Sequence, residues 1–116
     1  MTKLESFGKV FIDEVRDNTI DIFEKMFDGR MKGLTSQIVQ EKISVFDEQQ
    51  KDTVLWILSK AVDQSMHNML FMIEEHEEIN IIYDTEDIEE RSDGLSGELY
   101  TEDGWIEKYS NKPYEE

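Results

Sequence analysis

The side chains able to do chemistry are few, and their spacing keeps them apart. The chain has two histidines and no cysteine. His67 and His76 lie nine positions apart, which places them on opposite sides of a single helix, so they cannot share a metal there. No histidine stands four residues from His76, so the His-Glu-x-x-His metal motif is absent. Asp63 and His67 have i, i+4 spacing and could form half a metal site, but a structural pair is the stronger expectation. Asp84-Thr85-Glu86-Asp87-Ile88-Glu89 resembles the opening of a calcium loop. It lacks the glycine needed at the sixth position, and Ile88 takes a place that a ligand should hold. No glycine-rich phosphate loop, serine elbow or nucleophile–base pair is readable. We therefore expect a protein that is not an enzyme, with no catalytic residue, cofactor or metal site.

What remains is carboxylate and aromatic surface. Glu74, Glu75, Glu77 and Glu78 crowd the end of a long helical pattern, where the helix dipole disfavours anions. They read as a candidate surface for a basic protein partner, or as a solvated helix end that Arg91 could offset. A second candidate follows from Asp103-Gly104, a type I′ hairpin signal between residues 98–102 and 105–109. That turn sets Glu102 opposite Trp105 and Tyr100 opposite Glu107. One face then carries Tyr100, Trp105 and Tyr109 among Glu98, Glu102 and Glu107, with Leu99 and Ile106 toward the core. Such a face suits a protein interface, in which aromatics anchor and charges select. A register shifted by one would instead pack Trp105 on the helices.

The elements that must position these residues follow from periodicity. Thr2 with Glu5 forms a capping box, and Leu4, Phe7, Phe11, Val15, Ile22 and Met26 mark one face of a helix over 3–27. Gly8 and Asp17-Asn18-Thr19 are its weak points, and Asp28-Gly29 ends it. A second helix runs from Thr35 or Ser36 to about Val45. A third opens on the Asp47/Gln50 capping box and carries Leu55, Leu58, Val62, Met66, Met69 and Ile73. If it continued to Glu78 it would be about 46 Å long, against roughly 35 Å for a domain of this size. It is expected to be unbroken or gently bent, and a homodimer through the third helix would accommodate its length. Met66, Met69 and Met72 are expected to fill the core. Beyond 78 the period changes to alternation, giving a short strand over 79–83, an acidic connection over 84–93, and the hairpin. The expected fold is α+β: three N-terminal helices, the third long, then a small antiparallel β-sheet or hairpin. We read residues 1–116 as a single domain, with a helical part over 1–78, short strands and acidic loop over 79–110, and a frayed tail over 111–116.

Composition sets the outer limits. Of 116 residues, 34% are charged and the formal net charge is −16. The charge is not evenly spread. Residues 1–60 hold nine Lys/Arg against eleven Asp/Glu, whereas residues 61–116 hold three against seventeen. A field of that sign repels nucleic acid and anionic lipid and attracts basic proteins, and it also simply favours solubility. No window reaches the roughly 20 apolar residues of a membrane span. Without cysteines or a leader-like apolar run, a cytoplasmic location is expected.

Residues 92–106, Ser-Asp-Gly-Leu-Ser-Gly-Glu-Leu-Tyr-Thr-Glu-Asp-Gly-Trp-Ile, resemble the C-terminal segment of small uncharacterised bacterial proteins. That resemblance implies no activity or site. In size and acidity the chain is similar to immunity proteins that neutralise bacterial toxins. The expected function is a non-enzymatic, acidic protein-binding module, of the kind an immunity or inhibitor protein for a basic partner would be. A homo-oligomeric structural or regulatory domain is the alternative, and a carboxylate metal-dependent enzyme stands third.

Overall fold

The Thr2 hydroxyl accepts from the Glu5 backbone N–H, and the Glu5 carboxylate returns to the Thr2 N–H, so the first helix starts where its capping box stands. In the computed structural model, which describes residues 1–115, this helix has three parts. It runs as α1 (Lys3–Val10), passes through a π-helical segment (Phe11–Asp17) and resumes as α2 (Asn18–Phe27). The π segment changes which residues face inward. The expected inward residue Val15 is exposed, while Arg16, Asp17 and Ile20 are buried. A widened turn rotates the following face by about one residue, and π segments of this kind mark places where a side chain is re-aimed.

Helix α3 (Leu34–Ile43) follows a left-handed Gly33 and packs on α2. Helix α4 (Glu48–Glu75) opens on the Asp47/Gln50 capping box and is continuous for 28 residues. At 1.5 Å per residue it is about 42 Å long, nearly the 47 Å longest extent of the molecule. Its two ends therefore lie at opposite ends of the fold. The length expected to Glu78 is cut at Glu75 because His76 turns to extended backbone.

The chain is α+β: helices first, then a two-stranded antiparallel sheet of β1 (Ile82–Tyr83) and β2 (Glu86–Asp87). Ile82 pairs with Asp87 and Tyr83 with Glu86, so Asp84 and Thr85 form a two-residue turn. Both have positive φ, the requirement of a type I′ turn. Lys3 holds this turn from outside, its Nζ donating to the Asp84 carbonyl at 2.7 Å. Two 3₁₀ segments (Glu89–Arg91 and Leu95–Leu99) lead to helix α5 (Trp105–Tyr109).

The expected hairpin over 98–109 is not formed. Residues 95–99 are 3₁₀ and 105–109 are α-helical. Gly104 is not in a left-handed turn; at φ −75° and ψ 166° it caps α5. Its glycine identity is required by packing, because a Cβ there would overlap the Tyr100 carbonyl. Trp105 then points into the core, 3% exposed, with edge-to-face contacts to Phe7 at 5.8 Å and Phe11 at 6.5 Å. It also covers Gly8, where a Cβ would strike the indole. The core gathers Phe11, Ile12, Met66, Leu70, Ile73, Ile88, Leu95, Leu99 and Trp105. Among the described residues no helix is long and apolar enough to cross a membrane.

The tail is another correction. Of the tail expected to fray over 111–116, residues 111–115 lie along α2 and α4, and Glu116 lies outside the described residues. Asn111 N–H donates to Asp17, Lys112 Nζ to Glu24 at 2.7 Å, and the Tyr114 hydroxyl to Glu24 at 2.6 Å. Lys60 Nζ donates to the Tyr114 carbonyl, and the Trp56 indole N–H to that of Glu115.

Candidate partner-binding surface

Arg16 explains both the tail and the rotation of α4. Its guanidinium is 1% exposed. Nε donates to Asp63 at 2.6 Å, while Nη1 donates to Asp17, to the Ser110 hydroxyl and to the Lys112 carbonyl. Buried charges persist only when paired and hydrogen-bonded, and here two carboxylates and two tail oxygens supply that. Asp63 therefore belongs to Arg16, not to His67. His67 stacks near Phe71 and Tyr100, and its Nδ1 is buried with no hydrogen-bond partner. Among the described residues no group of three or more His, Asp or Glu converges as a metal-ligand set.

Drawing Asp63 inward turns α4 about its axis. The residues it buries are Ser59, Asp63, Met66, Leu70 and Ile73. The stripe expected from periodicity kept Met66 and Ile73 inside, but Met69 is on the surface and Leu58 and Val62 are only half-buried. A stripe containing a serine and an aspartate faces the core, and a more apolar one is displaced to its edge. Val15, Thr19 and Phe23 of the first helix join Leu58, Ala61, Val62, Ser65 and Met66 around an apolar groove of about 310 Å³.

Electrostatically, α4 is unlike the rest of the molecule. Residues 53–73 contain two charged side chains, Lys60 and Asp63. Both are occupied internally, by the tail carbonyl and by Arg16. The open side of the helix therefore carries Ile57 at 55% exposure, Phe71 at 48%, Met72 at 42% and Met69 at 41%, among Ala61, Gln64, Ser65 and Asn68.

The nine residues expected at a partner surface divide by environment. Glu75, Glu77 and Glu78 are exposed at the end of α4. Glu74 is used structurally, accepting the backbone N–H of Ser96 and so fastening the second 3₁₀ segment. The His76 imidazole lies 3.9 Å from Glu78. Arg91 does not offset it; it sits 3.5 Å from Glu86. Tyr100 and Glu107 line a cleft of about 410 Å³ over Arg16 and Asp63, with Lys60, Thr101 and Tyr114. The Tyr100 hydroxyl donates to the Asp63 carbonyl. Glu102 is exposed beside this region, Tyr109 packs on the core, and Trp105 lies inside it. The shared aromatic–acidic face does not exist, because a helix and a 3₁₀ turn replace the alternating strands that would have made it.

Local charges shift a few groups. Lys25 and then Lys112 hold the Asp21 carboxyl below its ordinary value. Burial, with Asp93 and Glu5 nearby, pushes the Glu98 carboxyl up. Burial and the bond to Glu24 raise the Tyr114 hydroxyl.

The features missed in the sequence were Arg16 and the open face of α4. The signal for the second was present: residues 53–73 are almost free of charge in a chain that is one-third charged. Compared with protein-family models, curated proteins and solved structures, the chain shows no significant match.

Proposed function

We propose that this chain is a non-enzymatic protein-binding module whose binding surface is the open side of α4 and the acidic end beyond it. One observation carries the reading: the longest helix of a strongly acidic chain leaves an uncharged, apolar side in water. Exposed apolar residues clustered on one element, rimmed by charge, mark protein interfaces. The rim here is Glu75, Glu77 and Glu78, so the fitting partner carries basic residues beside its apolar contacts. An inhibitor or immunity protein for a basic target would present such chemistry. The homo-oligomeric reading is favoured by a separate observation: residues 25–46 of the same chain hold four Lys/Arg against two Asp/Glu.

The test is a titration of the intact chain, followed by amide chemical shifts, with a synthetic amphipathic Lys/Leu peptide. Shifts should gather on Ile57, Met69, Met72 and Glu75, and Met72→Glu should weaken the affinity at least about tenfold. Shifts confined to the Arg16 cleft, or none, would refute the reading.

A further inference from the structure

We infer that the partner fitting this surface is a second copy of the same chain, docked antiparallel along α4. The inference rests on the protein-binding reading above and names the occupant. Three observations lead to it.

The first is spacing. Leu55, Leu58, Val62, Ser65, Met69 and Met72 follow one another at intervals of three and four. That is the spacing of one helix face, of the kind paired helices use as a seam. The buried stripe of α4, Ser59, Asp63, Met66, Leu70 and Ile73, has the same spacing displaced by one residue. So the helix carries two adjacent stripes: one is buried, and on the other Leu55, Leu58 and Val62 are half-buried while Ser65, Met69 and Met72 are exposed. The seam spans about 26 Å at 1.5 Å per residue. The groove lined by Val15, Thr19 and Phe23 runs beside its middle and adds apolar surface to the contact.

The second is charge. Each copy carries −16, so most pairings of two copies are repulsive. The open side of α4 is the exception: between residues 53 and 73 the two charged side chains are Asp63, paired with Arg16, and Lys60, bonded to the Tyr114 carbonyl.

The third is polarity along the helix, which selects the direction. Residues 74–93, at the C-terminal end of α4, hold ten Asp/Glu and one Arg. Near its N-terminal end, residues 25–52 balance five Lys/Arg against five Asp/Glu, and Lys32 and Lys42 are exposed and make no ion pair among the described residues. Leu34, Ile38, Val45 and Phe46 are exposed beside them, as Phe71, Met72, Ile79 and Ile82 are at the acidic end. A parallel pair would set the two acidic ends together. An antiparallel pair sets the acidic apolar end of one copy against the charge-balanced apolar end of the other, where Lys32 and Lys42 are free to meet its carboxylates, and its two-fold symmetry closes the assembly at two. The register that uses the whole seam places Leu55 against Met72 of the other copy, Leu58 against Met69, and Val62 against Ser65.

Sedimentation equilibrium of the intact chain, from about 1 µM to about 1 mM, reads the association directly. The expected mass at the upper end is twice 13.7 kDa. Ser65→Glu, at an exposed helical position, should weaken the dimer at least about tenfold, and Lys108→Gln, exposed on α5, should leave it unchanged. The chain's lack of cysteine allows single thiols to report direction. A short bis-maleimide should join an equimolar mixture of Leu58→Cys and Met69→Cys chains as the mixed pair. Efficient coupling of Met69→Cys to itself would show a parallel pair and overturn the proposal. A mass of 13.7 kDa throughout would overturn it as well. In that case the peptide titration separates the failures: shifts on the α4 side would leave the binding reading standing without a second copy, and no shifts would end both.

Discussion

Replacing Arg16 by methionine keeps the length of the side chain and removes its charge. Four hydrogen bonds go with it: those to Asp63, Asp17, the Ser110 hydroxyl and the Lys112 carbonyl. Asp17 retains Ser110 and the Asn111 N–H as partners. Asp63 does not. Its side chain is 9% exposed, and Arg16 is its one ion-pair partner among the described residues. Breaking a buried pair on one side strands the other charge and costs about 3–5 kcal/mol, a large part of the 5–15 kcal/mol that holds a domain of this size. At a urea slope of about 1.5 kcal/mol/M, the unfolding midpoint of Arg16→Met should fall by roughly 2–3 M. Trp105 in the core reports global unfolding in this assay. Trp56, whose indole bonds the Glu115 carbonyl, reports release of the tail. The double variant Arg16→Met with Asp63→Leu removes both charges and should recover most of the loss, because no carboxylate is left stranded. A fall worth less than about 1 kcal/mol in the single variant, or a double variant no better than the single, would show that Asp63 reaches water and that the pair does not set the rotation of α4.

Three further outcomes follow from single residues. Gly104→Asn should destabilise by about 1–3 kcal/mol in thermal or urea melts, since its Cβ meets the Tyr100 carbonyl; full tolerance of asparagine, which suits a left-handed turn, would restore the hairpin reading. His67→Phe keeps the ring against Phe71 and Tyr100 and discards the unpartnered Nδ1, so its stability should be unchanged or higher by up to about 1 kcal/mol; a loss of that size would reveal a partner for the nitrogen. Glu98 has its carboxyl raised in the fold, so the stabilising form is the protonated one, fully present below the ordinary carboxylate value and lost as pH rises through the raised one. Glu98→Gln should therefore be slightly more stable than the parent at pH 7, with the difference vanishing near pH 4 in paired pH–stability curves.

The acidity that dominates the composition resolves into unequal parts once placed. Glu74 fastens a 3₁₀ segment, Asp17 and Asp63 neutralise Arg16, and Asp21 and Glu24 hold Lys112. Glu75, Glu77 and Glu78 remain open to solvent at one end of the molecule. Net charge alone could not distinguish carboxylates spent on the fold from those left at the surface.

What the sequence determined by itself is local. Thr2 with Glu5 and Asp47 with Gln50 start their helices as capping boxes because each residue finds its partner three positions away. The helix-then-sheet order of an α+β chain follows from a change of period after Glu78. What only the tertiary structure decided depends on partners far along the chain. Asp84-Thr85 takes the left-handed turn that Asp103-Gly104 advertised, with Lys3 bonded to it across 81 positions. Gly104 is a glycine because of the Tyr100 carbonyl, a packing demand that its own dipeptide does not encode. The inward face of α4 was decided by Arg16 reaching Asp63 across 47 positions. A buried guanidinium must be paired, and with that pair made Met66 and Ile73 stay inside, Leu58 and Val62 are half-buried and Met69 lies at the surface.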